Sequence, residues 1–172
     1  HGSDATFRPE DFGLIPGEKA TRAIQSAIDK AGEHGGTVRL SGGDYVSGTL
    51  ILRSNVRLMV DSGSRLLAST DLADYPEQIA RRLTVQDTNM GMNQSLIFAE
   101  GCENICICGG GELDGQGTRA NFPGDETCHG TPGRPFLIRI IDCRDVHVHD
   151  ITLRSAACWM ENYLNCDRVL LE

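Results

Sequence analysis

Two pairs of residues in this 172-residue chain carry the atoms for metal chemistry, and both follow the same local phrase. Cys106 and Cys108 follow Cys102-Glu-Asn-Ile105, and His147 and His149 hold the same places after Cys143-Arg-Asp-Val146. Two thiolates and two imidazoles are donors that zinc takes in tetrahedral sites. If Val146 and Val148 point inward, period-two alternation turns His147 and His149 outward, with Cys106 and Cys108 beside them on the preceding strand. Neighbouring strands lie about 4.8 Å apart and alternate residues about 6.8 Å apart, so convergence on one ion requires favourable rotamers. The plainer expectation is a surface ladder without metal, with zinc as the alternative. Carboxylates offer a second chemistry, because a pair of them can divide the acid and base roles. Asp114-Gly115 reads more simply as a turn, and Asp145 sits at a polar corner where Asp is common. Nothing sets two of Asp114, Asp142, Asp145 and Asp150 across a substrate bond, so none is assigned as catalytic.

The phrase that positions these residues occurs four times. It reads Arg53-Ser-Asn-Val-Arg-Leu58, Cys102-Glu-Asn-Ile-Cys-Ile107, Cys143-Arg-Asp-Val-His-Val148 and Cys166-Asp-Arg-Val-Leu-Leu171. Each copy opens a half-buried strand, and an apolar run precedes each one: Thr49–Leu52, Leu96–Ala99, Phe136–Ile141 and Trp159–Leu164. The unit is strand, tight polar corner, strand. Copies start 49, 41 and 23 residues apart, and the shortest interval is about one turn of a parallel β-solenoid. The longer intervals require loops inserted at a corner. Stacking like strands on like strands makes equivalent residues neighbours, so Cys102, Cys143 and Cys166 form a ladder of small side chains beside the core.

Aromatic residues make up only 5% while glycine reaches 20 residues, which suits thin coils with many corners. The net charge of −8 argues against a nucleic-acid partner, which requires a basic surface. No apolar run reaches membrane-spanning length, so no membrane partner is expected. Seven cysteines leave at least one thiol outside any set of internal disulfides. His1-Gly2-Ser3 reads as a cloning remnant, residues 1–10 as remnant plus tail, and no signal peptide is visible. Apolar residues at Ala20, Ala23, Ile24, Ala27, Ile28 and Ala31 predict a helix over about 18–31, ended by Gly32 and Gly35-Gly36. It would cap one end of the solenoid. Residues 71–92 and 118–133 read as inserted loops, the first with room for a short helix. Gly109 to Gly117 lacks the helix and the Lys-Ser/Thr of a phosphate loop. Asn93-Gln94-Ser95 is formally a glycosylation sequon.

Several of these segments together resemble one family. Ala23-Ile-Gln-Ser-Ala-Ile28, Gly35-Gly36-Thr37-Val38, Gly48-Thr49-Leu50 and Ser54-Asn55-Val56 look like the opening of family 28 glycoside hydrolases, the polygalacturonase-like enzymes. Gly111-Glu-Leu-Asp-Gly-Gln-Gly117, Arg134-Pro135, Cys143-Arg-Asp-Val146, and Trp159 followed by Cys166-Asp-Arg-Val169 match its middle in order and spacing. The resemblance runs from about Asp11 onward. It implies an all-β fold, a right-handed parallel β-helix with an N-terminal capping α-helix. It also implies inverting hydrolysis of pectic polysaccharide or oligosaccharide, with no cofactor, in a secreted or periplasmic enzyme. The family's Asn-Asp-Gly, Asp-Asp, Gly-His-Gly and Arg-x-Lys motifs do not occur here, so the resemblance is to an N-terminal portion ending before the catalytic carboxylates.

By that resemblance, the face built from the apolar runs continues toward the catalytic carboxylates. Arg134, Arg139, Trp159, Glu161 and Asn162 are therefore candidate outlying substrate contacts, since an aromatic ring stacks on sugars and arginine pairs with carboxylates. For Trp159 the competing expectation is a core plug. A non-catalytic β-helix module for carbohydrate binding or assembly is the alternative to the enzyme. A calcium-dependent lyase is disfavoured because no acidic cluster is set to hold calcium. Val169-Leu170-Leu171 has no covering segment after it, which predicts self-association through the C-terminal coil.

Overall fold

The computed structural model describes residues 5–76, 78, 94–118, 135–156 and 161–172. The first sheet contains β1 (Thr6–Phe7), β2 (Gly36–Leu40), β5 (Val56–Val60), β8 (Glu103–Cys108), β11 (Arg144–Val148) and β14 (Asp167–Leu171), in that spatial order. The second contains β4 (Leu50–Ile51), β7 (Ser95–Glu100), β10 (Phe136–Ile141) and β13 (Glu161–Leu164). The third contains β3 (Asp44–Ser47), β6 (Arg65–Ala68), β9 (Glu112–Asp114) and β12 (Thr152–Arg154). From β2 onward every third strand returns to the same sheet and pairs in parallel with its predecessor. This is a three-sided parallel β-helix, right-handed as parallel crossovers are.

The repeated phrase works through its backbone. Asn55, Asn104, Asp145 and Arg168, the third residue of each copy, all sit in the left-handed region with φ between 54° and 65°. Gly101, Asp142 and Asn165, just before the cysteines, do the same. Asn and Asp tolerate this conformation better than other non-glycine residues, which explains why the corner is polar. Successive corners are laddered together. Asn104 Nδ2 donates to Asn55 Oδ1 (3.0 Å), and Arg168 Nη2 donates to Asp145 Oδ2 (2.9 Å).

Alternation then sorts side chains. Val38, Leu58, Ile107 and Val148 form one inward column, and Leu50, Ile97 and Ile138 form another; all are buried. Each aliphatic side chain buried in this way contributes roughly 1.5–3 kcal/mol. Cys102, Cys143 and Cys166 hold the expected common place beside this core, as free thiols. Their sulfurs lie against backbone carbonyls, such as Ile141 O at 3.3 Å from Cys143.

The helix, α1, spans Thr21–His34, three residues later than the expected 18–31. Ala20 N donates to Val46 O (2.7 Å), so the approach to the helix is tied to the coil instead of extending α1. Gly32 does not end the helix. A Cβ there would lie 2.8 Å from Arg53 Cβ, so Gly32 permits close packing on the coil, and Gly35 (φ +81°) ends the helix. The buried face, Ala23, Ile24, Ala27, Ile28 and Ala31, covers the first coil as expected of a cap. Residues 5–10 are not a loose tail. Thr6 and Phe7 pair with Thr37 and Val38, and Tyr45 Oη donates to Glu10 (2.6 Å). In the first expected loop, Leu72–Asp74 form a 3-10 turn capped by Asp71. The rest of that loop except Tyr75, Pro76 and Gln78, the second loop beyond Thr118, and Asn93 of the sequon lie outside the described residues. No helix is long and apolar enough to cross a membrane among the described residues.

The corner geometry yields a test on an exposed side chain. Asn104→Ala removes the ladder hydrogen bond and places Ala in the left-handed region, and should destabilise by about 1–2 kcal/mol. Asn104→Gly removes the same bond but permits the backbone, so its loss in urea unfolding should be smaller. Equal losses would show that the backbone corner is not the stabilising element.

Candidate functional site

Of the proposed substrate contacts, Arg134 and Trp159 lie outside the described residues. Arg139 and Asn162 share one column of the second sheet with Ile51 and Phe98. Ile51 and Phe98 belong to a small apolar cluster with Ile141 and Leu164, separate from the main core, so this column faces out of the helix. Arg139 is nevertheless only 1% exposed. Its guanidinium carbon lies 5.5 Å from the Phe98 ring centroid, a cation–π contact, and Nη1 donates to Gln78 O (2.7 Å). It is thus held within the structure, against Phe98 and the backbone of Gln78. Glu161 registers with Ile138 and so falls in the inward column of Leu50 and Ile97. Its carboxylate accepts a hydrogen bond from Tyr163 Oη (2.8 Å). Strand parity separates Glu161 from Arg139 and Asn162, a distinction that the apolar run alone did not reveal.

A groove that no local pattern announces lies beside the same sheet, between α1 and β4. Lys19, Arg22, Gln25, Asp29 and Arg53 line it. Two of its cations are paired, Lys19 with Asp74 at 2.6 Å and Arg53 with Asp29 at 3.0 Å. Gln25 treats β4 as a neighbouring strand would: its Oε1 accepts from Ile51 N (2.8 Å) and its Nε2 donates to Ile51 O (2.9 Å). The partners are 26 residues apart in sequence, so the contact is visible only in three dimensions.

The sulfur and imidazole groups come together on the outer face of the first sheet. Cys106 pairs in register with His147 on one side and Arg57 on the other. The His147 and His149 rings stack at 4.1 Å between centroids. Cys106 Sγ lies 3.5 Å from His149 Nε2, while His149 Nδ1 lies 2.7 Å from Asp150 and His147 Nε2 lies 2.8 Å from Glu172. Among the described residues, Cys106, His147 and His149 place ligand atoms within 4.8 Å of one another. Cys108 departs from the expected surface ladder, being buried in the column that contains Met59. A hydrogen bond from the Cys108 thiol, together with His149, draws Cys106 down to about 5, well below an ordinary thiol. The same bond and burial push Cys108 up. Asp150, with a smaller part from Cys106, raises His149.

The acidic residues weighed in the sequence serve local structure. Asp114 Oδ1 accepts from Gln116 N (2.8 Å), the turn expected there. Asp142 accepts from Asn165, and Asp145 pairs with Arg168.

With this geometry in place, known proteins can be compared. No protein-family model matches the chain. A Vitis vinifera protein named Probable polygalacturonase is 27% identical over 173 residues, covering 94% of this chain and 35% of that protein. A Ralstonia solanacearum polygalacturonase is 38% identical over 98 residues, 55% of this chain and 18% of the relative. The chain thus spans about a third or less of these relatives. The family 28 exopolygalacturonase of Yersinia enterocolitica superposes with a TM-score of 0.74 at 24% identity, over 98% of this chain and 39% of that one. At that identity the match speaks for the fold, and the two relatives show similarity to part of proteins named polygalacturonase. The chain is polygalacturonase-like, a β-helix similar to a portion of the family 28 glycoside hydrolases.

Proposed function

We propose that this chain forms N-terminal coils of a glycoside hydrolase that cleaves pectic polysaccharide with inversion. The observation that carries the reading is similarity to a polygalacturonase-named relative over 94% of the chain. Inversion requires one carboxylic acid and one carboxylate base about 6.5–9.5 Å apart on opposite faces of the sugar. Asp114, Asp142, Asp145 and Asp150 are each engaged in turns, corner ladders or a histidine contact. In this proposal the segment is scaffold and outlying cleft, and the acid and base lie elsewhere in the enzyme.

Arg134 and Trp159 are the proposed direct sugar contacts, together with Asn162 of the outward column. Arg139 acts as a support of that column, since it is buried against Phe98. No cofactor enters this chemistry. A secreted or periplasmic location fits an enzyme whose substrate is a cell-wall polymer. The exposed Leu170 and Leu171 on β14 support self-association of the isolated chain, or packing of further coils there.

First, Trp159 is the single tryptophan, so its emission should shift on titration with oligogalacturonide and stay unchanged with a neutral cello-oligosaccharide. An equal response to both would overturn the pectic assignment. The same chain should release no reducing sugar from polygalacturonate above a buffer blank. Release abolished by a substitution within these residues would place catalysis here after all. Second, Arg139→Ala should cost about 2–5 kcal/mol in urea unfolding, as other large-to-small buried changes do. Arg139→Met keeps the volume and removes a buried charge, so it should lose far less. Stability unaffected by Arg139→Ala would contradict the supporting role. Third, light scattering should show a mass that grows with concentration and falls in Leu170→Asp. A stable monomer at high concentration would remove the association proposal.

A further inference from the structure

We infer that Cys106, His147 and His149 form a metal site of the zinc type, clipping β8 to β11 on the outer face of the first sheet. This does not depend on the pectic reading, because Cys106 and His147 lie on the first sheet, apart from Arg139 and Asn162 on the second. One sulfur and two imidazole nitrogens suit zinc, whereas magnesium and calcium take oxygen ligands. Zinc bond lengths of about 2.0 Å to nitrogen and 2.3 Å to sulfur set tetrahedral ligand edges of about 3.3–3.8 Å. Cys106 Sγ and His149 Nε2 already stand at such an edge, 3.5 Å apart. The full set lies within 4.8 Å, so closure requires ligand atoms to shift by about 1 Å.

The surroundings are those of a ligand set. Asp150 lies on His149 Nδ1, which leaves Nε2 directed at Cys106, the order of an orienting carboxylate, a histidine and an ion. Glu172 holds His147 Nε2, leaving Nδ1 for the ion. A metal binds Cys106 as its thiolate. Arg57 is its neighbour in register on the opposite side. Three protein ligands leave a fourth position toward solvent, and the ligands come from consecutive coils, so binding would lock their register.

Cobalt(II) titration of the chelator-treated full chain tests the site. One equivalent should produce a sulfur-to-cobalt charge-transfer band with tetrahedral ligand-field absorption, and zinc should displace it. Cys106→Ser should abolish the band, and His149→Gln should abolish the tetrahedral spectrum. Asp150→Asn should weaken binding about 10–100-fold, the usual effect of losing an orienting partner. Cys166→Ser, in the separate cysteine column, should bind as the parent does. Circular dichroism on each variant confirms that the coils are folded before titration. No charge-transfer band in the folded parent would overturn the inference. So would a band that survives Cys106→Ser or disappears with Cys166→Ser.

Discussion

A left-handed backbone residue at the corner between the second and first sheets is the constraint on which the molecule depends. Two residues separate β7 from β8, β10 from β11 and β13 from β14, and the chain changes direction within them. It does so by placing Gly101, Asp142 and Asn165 at positive φ, followed by Asn104, Asp145 and Arg168 at the second residue of the next strand. An ordinary L-residue resists that conformation by about 1–2 kcal/mol, and Asn and Asp resist less. Arg168 is the exception, and its bidentate pairing with Asp145 on the preceding corner holds it there. Fixed corners give a fixed register, and register decides which residues meet.

Register converts a one-dimensional sequence into columns. Inward columns are mainly aliphatic, and where polar groups enter, as Glu161 and Tyr163 do, they bond to each other. Outward columns are free to carry chemistry, and each side chain there stands about 4.8 Å from its equivalent on the next coil. The stacking of His147 on Cys106 is a direct consequence. The first coil poses a different problem, since β4 is an edge strand of the second sheet with backbone groups open to pairing. Gln25 meets it by offering a side-chain amide in place of a strand, so α1 covers both the apolar cross-section and part of the polar edge.

The sequence displayed the parts of this structure that are local and repeated. The four phrases, their alternation and the strands around them were legible because one short pattern recurs with its polar corner intact. The pairing of Cys106 with His147 followed from the same reasoning and is present. Features resting on long-range packing were not legible. The helix begins at Thr21 because Ala20 bonds to Val46, and it passes through Gly32 because Arg53 packs there. Thr6–Phe7 became a strand only because β2 offers an edge. Arg139 looked like a solvent-facing cleft residue from its polarity, yet Phe98 and Gln78 enclose it. Glu161 lay in an apolar run whose parity needed a partner strand to fix.

The two outward faces differ in how their chemistry arises. Both long connections, from β6 to β7 and from β9 to β10, leave the third sheet and rejoin at the second. Gln78, in the first of these connections, meets the column of Ile51, Phe98, Arg139 and Asn162 through the bond from Arg139 to its carbonyl oxygen. Insertions at this corner can vary in length without disturbing the coil register, since loop length is a weak thermodynamic burden. The second sheet is therefore the face on which a cleft can be built and varied. The first sheet lies between shorter connections, three residues from β8 to β9 and three from β11 to β12. Its cluster of Cys106, His147 and His149 is positioned by coil stacking and by the neighbouring carboxylates of Asp150 and Glu172, and it stays partly exposed. A site of that origin is suited to holding coils in place, whereas a site assembled under loops is suited to recognising a polymer.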